Sequence, residues 1–131
     1  MQSIYLFLRA SRSRVEDWLT RQASLGAGGR QWSYPAAANP HLRIELCTDA
    51  LWELTPEVRR ALSDRLGPGP FIQIVADVSR APGASAEVLP FTIGCLEEHG
   101  GLAMDDHSDE LWSLEEIAAP VAGRRRFAAD Y

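Results

Sequence analysis

The sequence predicts an α+β domain in which helices pack on one antiparallel sheet, and two observations predict it. Strand-like and helix-like patterns follow one another as β-α-β-(α)-β-α-β along 131 residues. Two right-handed β-α-β crossovers interleaved in one sheet give the ferredoxin-like βαββαβ arrangement, sheet order 4-1-3-2, here with an extra helix between strands two and three. The apolar pattern points the same way. Strands one and three read apolar on both faces, as central strands do, whereas strand two alternates, as an edge strand does.

Taken in order, Ile4 to Leu8 in SIYLFLR is β-branched, aromatic and apolar on both alternating faces, which suits the middle of a sheet. SRVEDWLTRQASLG follows as a helix: Ser13 and Glu16 have capping-box spacing, Val15, Trp18, Leu19, Gln22 and Leu25 recur at helical intervals, and Gly26 stops it. Gly26, Gly28 and Gly29 then open a loop in which Pro35 and Pro40 disfavour regular structure. That loop follows a helix, precedes none and lacks the Lys-Ser/Thr pair of a phosphate-binding loop. HLRIELC alternates Leu42, Ile44 and Leu46 with Arg43, Glu45 and Cys47, the pattern of a half-exposed edge strand. The extra helix has Thr55 as N-cap, Pro56 at its first position, Val58, Leu62 and Leu66 on one stripe, and Gly67 at its end. Phe71 to Val78 is the third strand. Ser85 caps a helix through AEVLPFTIGCLEEHG that ends at Gly100, and Leu102 to Met104 supplies a short fourth strand.

With Ile4, Leu6, Leu8, Ile72, Ile74 and Ala76 facing the main helices, Tyr5, Phe7, Phe71 and Val75 share the other sheet face. A contiguous apolar patch of that kind needs a cover. The extra helix or the C-terminal segment can provide it, and so can a second copy of the chain in a homodimer.

An apolar content of 46% over this length suits a single domain spanning 1–131 with one core. The apolar run at Ile4–Leu8 is broken by Arg9, too short for a secretory or membrane segment, so a cytoplasmic location without membrane contact is expected. Cys47 and Cys95 lack metal or redox spacing and read as small buried hydrophobes in a reducing compartment. The net charge is −5, and all 13 basic residues are arginines. Nucleic acid is thereby disfavoured as a ligand, since phosphate-backbone binding is dominated by basic charge.

The charge is unevenly spread. From Glu97 to Glu116 there are eight acidic residues and no basic one. Part of this stretch has local tasks: in WSLEEI, Ser113 and Glu116 have capping-box spacing and Trp112 can staple to Ile117. The remainder, DDHSDE, presents Asp105, Asp106, Asp109 and Glu110 as a surface for a basic protein partner. Carboxylates beside His107 are also suitable ligands for a divalent cation, with Asp77 at the end of strand three as a further donor. The spacing is poor for that purpose. Strands three and four flank strand one, about 10 Å apart at roughly 4.8 Å per strand, and no calcium-loop pattern is present. His41 and His99 read as structural, His99 as an imidazolium meeting the dipole at a helix end. Trp18 is core by its spacing, while Trp32 and Trp52 fall in loops, either as lids over the core or as exposed anchors. RRRF, Arg124 to Phe127, reads as a solvated basic tail.

The series Gly100-Gly101, a short strand, Asp105-Asp106 and LWSLEEI, residues 100–117, resembles the C-terminal part of small bacterial proteins that look like immunity proteins of polymorphic-toxin or secretion-system loci. The resemblance implies a non-enzymatic cytoplasmic inhibitor that binds a cognate toxin and blocks its active site, without a cofactor. The contrasting expectation is a small metal-dependent enzyme using Asp77, Asp105, Asp106 and His107.

Overall fold

A computed structural model describes residues 2–26, 28–35, 41–47, 54–67, 71–119, 122–129 and 131. Trp52 and Pro40 lie outside the described residues. The elements are β1 (Gln2–Leu8), α1 (Arg12–Gln22), β2 (Ser24–Leu25), β3 (Gln31–Tyr34), β4 (Leu42–Leu46), α2 (Pro56–Leu66), β5 (Ile72–Val78), α3 (Val88–His99), β6 (Gly101–Asp105) and α4 (Leu114–Ala118). All strands join one antiparallel sheet in the order β2-β3-β4-β5-β1-β6. The sheet has six strands where the sequence predicts four, so its order as a whole is not 4-1-3-2. The four expected strands occupy adjacent places, β4-β5-β1-β6, and β2 and β3 extend the β4 side.

The extension arises where the sequence predicts the last turn of the first helix and then a loop: α1 stops at Gln22, short of the expected Gly26, and Ser24–Leu25 and Gln31–Tyr34 are strands. Ser24 and Leu25 pair with Ser33 and Trp32, and the Gly26 N–H donates to the Gln31 carbonyl at 2.7 Å. Trp32 drives this: its ring is 3% exposed in the main core and its Nε1–H donates to Thr20 Oγ1 at 3.2 Å. Burying an indole with its N–H satisfied outweighs the weak strand propensity of the glycines around it. As a result β4 pairs on both sides, with β3 and β5, and is not an edge strand.

Two helix starts also differ from expectation. α1 is capped by Ser11, whose Oγ accepts from the Arg14 N–H, and Glu16 pairs with Arg12 at 2.9 Å instead of closing a box with Ser13. Ser85 does not cap α3: it lies in a 3-10 turn, Ala84–Glu87. Pro90 has no N–H to give and is tolerated in an α-helix only within the first turn, so α3 begins at Val88 and the residues before it wind more tightly. α2 has the predicted limits, with Thr55 Oγ1 accepting from the Val58 N–H.

The sheet divides the core in two. α1 and α3 cover one face, where Ile4, Leu6, Leu8, Ile74 and Ala76 meet Trp18, Leu19, Phe91 and Cys95. On the other face α2 lays Val58, Leu62 and Leu66 over Phe7, Leu102 and Met104, with Tyr5 and Phe71 at the margin. Of the apolar patch left open by the sequence, the extra helix covers Phe7 and packs beside the half-buried Tyr5 and Phe71, while Val75, also half-buried, lies outside this cluster. Gly101 fixes how β6 joins: its φ is +124°, and a Cβ there would fall 1.9 Å from the Phe7 carbonyl oxygen, so only glycine allows the strand this close to β1.

Candidate functional site

β6 alternates across the sheet. Leu102 and Met104 face α2, whereas Ala103 joins the main core and Asp105 lies beyond it, fully buried. The chain leaves the sheet after Asp105 and returns at Trp112, which pairs back onto Ala103 through two hydrogen bonds of 2.8 and 2.9 Å. Residues 106–111 are therefore a closed excursion with both ends anchored.

The four candidate carboxylates separate by depth. Asp105 Oδ2 accepts from Arg125 Nη1 at 2.9 Å and from the Ala128 N–H at 2.8 Å, and its Oδ1 accepts from the His107 N–H at 3.1 Å. A carboxylate so buried and so fully engaged is part of the fold and offers nothing to a partner. Asp106 is exposed but tied down: Oδ2 accepts from the Ser3 N–H at 2.7 Å and Oδ1 lies 2.7 Å from the Tyr131 hydroxyl. That hydroxyl accepts from the Asp106 N–H and lies 2.5 Å from the Ser3 carbonyl. Burial, together with the Asp106 and Asp105 charges, pushes the phenol well above its ordinary pKa and keeps it a donor. Asp109 and Glu110 are exposed, and the Glu110 N–H donates to Ser108 Oγ, which shapes the turn between them.

Glu116, at the far end of the acidic stretch, completes the capping box with Ser113. It also accepts from Arg65 Nη2 at 2.5 Å and from Arg124 Nη1. Burial alone would raise its pKa, but the Arg65, Ser113 N–H and Arg124 donors hold it down to about 2. Arg65 and Arg124 also reach the Leu111 carbonyl, at 2.9 and 3.2 Å, and the Arg124 guanidinium stacks 4.8 Å over the Trp112 ring. The RRRF segment is therefore no solvated tail. Arg124 and Arg125 neutralise the two inner carboxylates, and Phe127 packs edge-on to Trp112 at 5.5 Å. Sequence reasoning missed Arg65, Arg125 and Tyr131 because their partners are 20 to 128 residues away, beyond any local spacing rule. The available signal was one arginine cluster and one acidic cluster in a chain of mixed charge.

The metal-oriented set is not brought together. Ser3 stands between Asp77 and Asp106, giving its Oγ–H to Asp77 at 2.6 Å and its N–H to Asp106. His107 lies edge-on to Tyr131, with Nε2 3.7 Å from Asp106 Oδ1. Among the described residues no three His, Cys, Asp or Glu side chains are placed to hold a metal ion. A surface cavity of about 430 Å³ lies beside the loop, with Tyr5, Leu54 and Met104 on its apolar side. Cys47, half-buried, and Cys95, buried, are not joined in a disulfide. No helix among the described residues is long and apolar enough to cross a membrane. No protein-family model, curated protein or solved structure matches the chain.

Proposed function

We propose that the chain is a non-catalytic protein-binding domain of the immunity-protein type, which docks a basic partner, a cognate bacterial toxin, through Asp106, Asp109 and Glu110. The observation that supports this reading most is the division of the acidic loop. Asp105 fixes the loop from inside, Asp106 is exposed while anchored to Ser3, and Asp109 and Glu110 are presented to solvent on that fixed base. A preorganised charged rim speeds encounter with an oppositely charged surface and loses little entropy on docking. The adjacent strands β4-β5-β1-β6, with α1 and α3, are read as a ferredoxin-like unit to which the β2-β3 hairpin and α2 have been added. Cys47 and Cys95, not joined in a disulfide, fit a reducing, cytoplasmic setting.

A metal-dependent enzyme built on Asp77, Asp105, Asp106 and His107 draws less support. A cation at Asp105 would have to displace a guanidinium and a backbone donor, and Ser3 already occupies the space between Asp77 and Asp106.

The test is stopped-flow association with the purified product of the neighbouring gene, at low and high salt. Asp109→Asn/Glu110→Gln should slow association roughly three- to tenfold at low salt and flatten its salt dependence. Unchanged on-rates would remove the loop from the interface, and no association with the natural chain would remove the reading.

A further inference from the structure

α3 meets Trp18 of α1 from three positions. Phe91 meets its ring at 6.2 Å, Gly94 leaves room where an added Cβ would lie 3.5 Å from the indole, and His99 lies edge-on at 5.6 Å. The third contact differs from the other two. His99 is 7% exposed, and neither Nδ1 nor Nε2 has a hydrogen-bond partner. A neutral imidazole in that position leaves one donor and one acceptor unmet. An imidazolium leaves two donors and a full charge in an apolar contact.

We propose that His99 is an acid-sensitive latch: the neutral ring holds the carboxyl end of α3 against α1, and protonation releases that contact. The surrounding charges oppose one another. Glu98 on α3 and the carbonyls at the helix end favour the cation, whereas Arg14 and Arg21 on α1 disfavour it. Burial is the largest influence and lowers the pKa from its ordinary 6.5, the reverse of the helix-end imidazolium that the sequence suggests. The folded protein therefore binds fewer protons at this site than the unfolded chain. The stability linked to His99 is fully present above about pH 6.5 and is lost as pH falls through that value toward the lowered one.

The ring resonances of His99 are followed by NMR from about pH 8 to pH 5, assigned with His99→Gln, alongside the indole N–H of Trp18. Denaturant midpoints are measured at about pH 7.5 and 5.5 for the natural chain and for His99→Phe, which keeps a ring against Trp18 but cannot ionise. His99 should titrate below 6.5 in the folded protein. The Trp18 resonance should move along the same curve, and His99→Phe should lose at least half of the acid-induced fall in midpoint. Titration at or above 6.5, a Trp18 resonance indifferent to it, or equal falls in both proteins would overturn the latch. Should His99→Phe not fold, the titration of the natural chain decides alone.

Discussion

Asp105 and Glu116 on one side, and Asp109 and Glu110 on the other, belong to a single acidic stretch and have opposite surroundings. The first pair faces inward, where Arg65, Arg124 and Arg125 converge from α2 and the C-terminal segment. The second pair faces water, and both residues are exposed. Charge alone therefore does not say which acids are available. What divides them is the strand register: Asp105 ends β6 opposite Ile4, with its side chain on the main-core face, and four residues later the chain has left the sheet.

The comparison breaks most sharply at Asp105. Asp105→Ala should cost about 3 kcal/mol, because it removes a fully buried carboxylate that accepts from the Ala128 and His107 N–H groups and from Arg125 Nη1. Urea denaturation measures this, and a loss below 1 kcal/mol would mean that the inner and outer acids are alike after all.

Glu116 comes next, and its contribution depends on pH. Its folded-state pKa is lowered from 4.5 to about 2, so its stabilisation is fully present above pH 4.5 and is lost as pH falls from there toward 2. With its side chain 29% exposed, Glu116→Gln should cost on the order of 2 kcal/mol at neutral pH and should remove much of the acid sensitivity in that window. Stability curves of the two proteins that remain parallel between pH 4.5 and 2 would contradict the assignment.

Much of this division was legible in the sequence, and the part that was not has a physical reason. The capping box of Ser113 and Glu116 and the limits of α2 follow from local rules, because their partners lie within four residues. So does the burial of β1 and β5, since periodicity reports which faces are apolar. The role of RRRF did not follow, because a basic run looks the same whether water or a distant carboxylate receives it. The sequence does not choose between lid and exposed anchor for Trp32 for a related cause: its place in the core depends on α1 offering Thr20 to its indole N–H, a tertiary circumstance that overrides the glycine-rich context.

Tyr131→Phe probes the boundary between the two halves. The hydroxyl ties Asp106 to Ser3, and all of its contacts lie at a partly exposed site where water can replace them. The loss should be about 1 kcal/mol. Faster amide exchange should be confined to residues 106–110, since Asp105 keeps Arg125 and Trp112 keeps its pairing with Ala103. Accelerated exchange throughout β6 would show that the anchor reaches further than the loop.

The smallest expected effect falls on the outer pair. In Asp109→Asn/Glu110→Gln no hydrogen bond or ion pair seen for these side chains is broken, and the turn-forming bond from the Glu110 N–H to Ser108 Oγ uses backbone and serine atoms that the substitutions leave in place. Surface changes of this kind stay within about 0.5 kcal/mol. The sign should be slightly stabilising, because the chain carries a net charge of −5 and the two acids are neighbours that repel each other in the folded loop. The gain should shrink as salt screens it, which separates it from any change in packing. A loss of more than 1 kcal/mol, or one insensitive to salt, would mean that Asp109 and Glu110 also hold the fold together, and the distinction between fixed and presented carboxylates would fail at the two residues on which the docking proposal most depends.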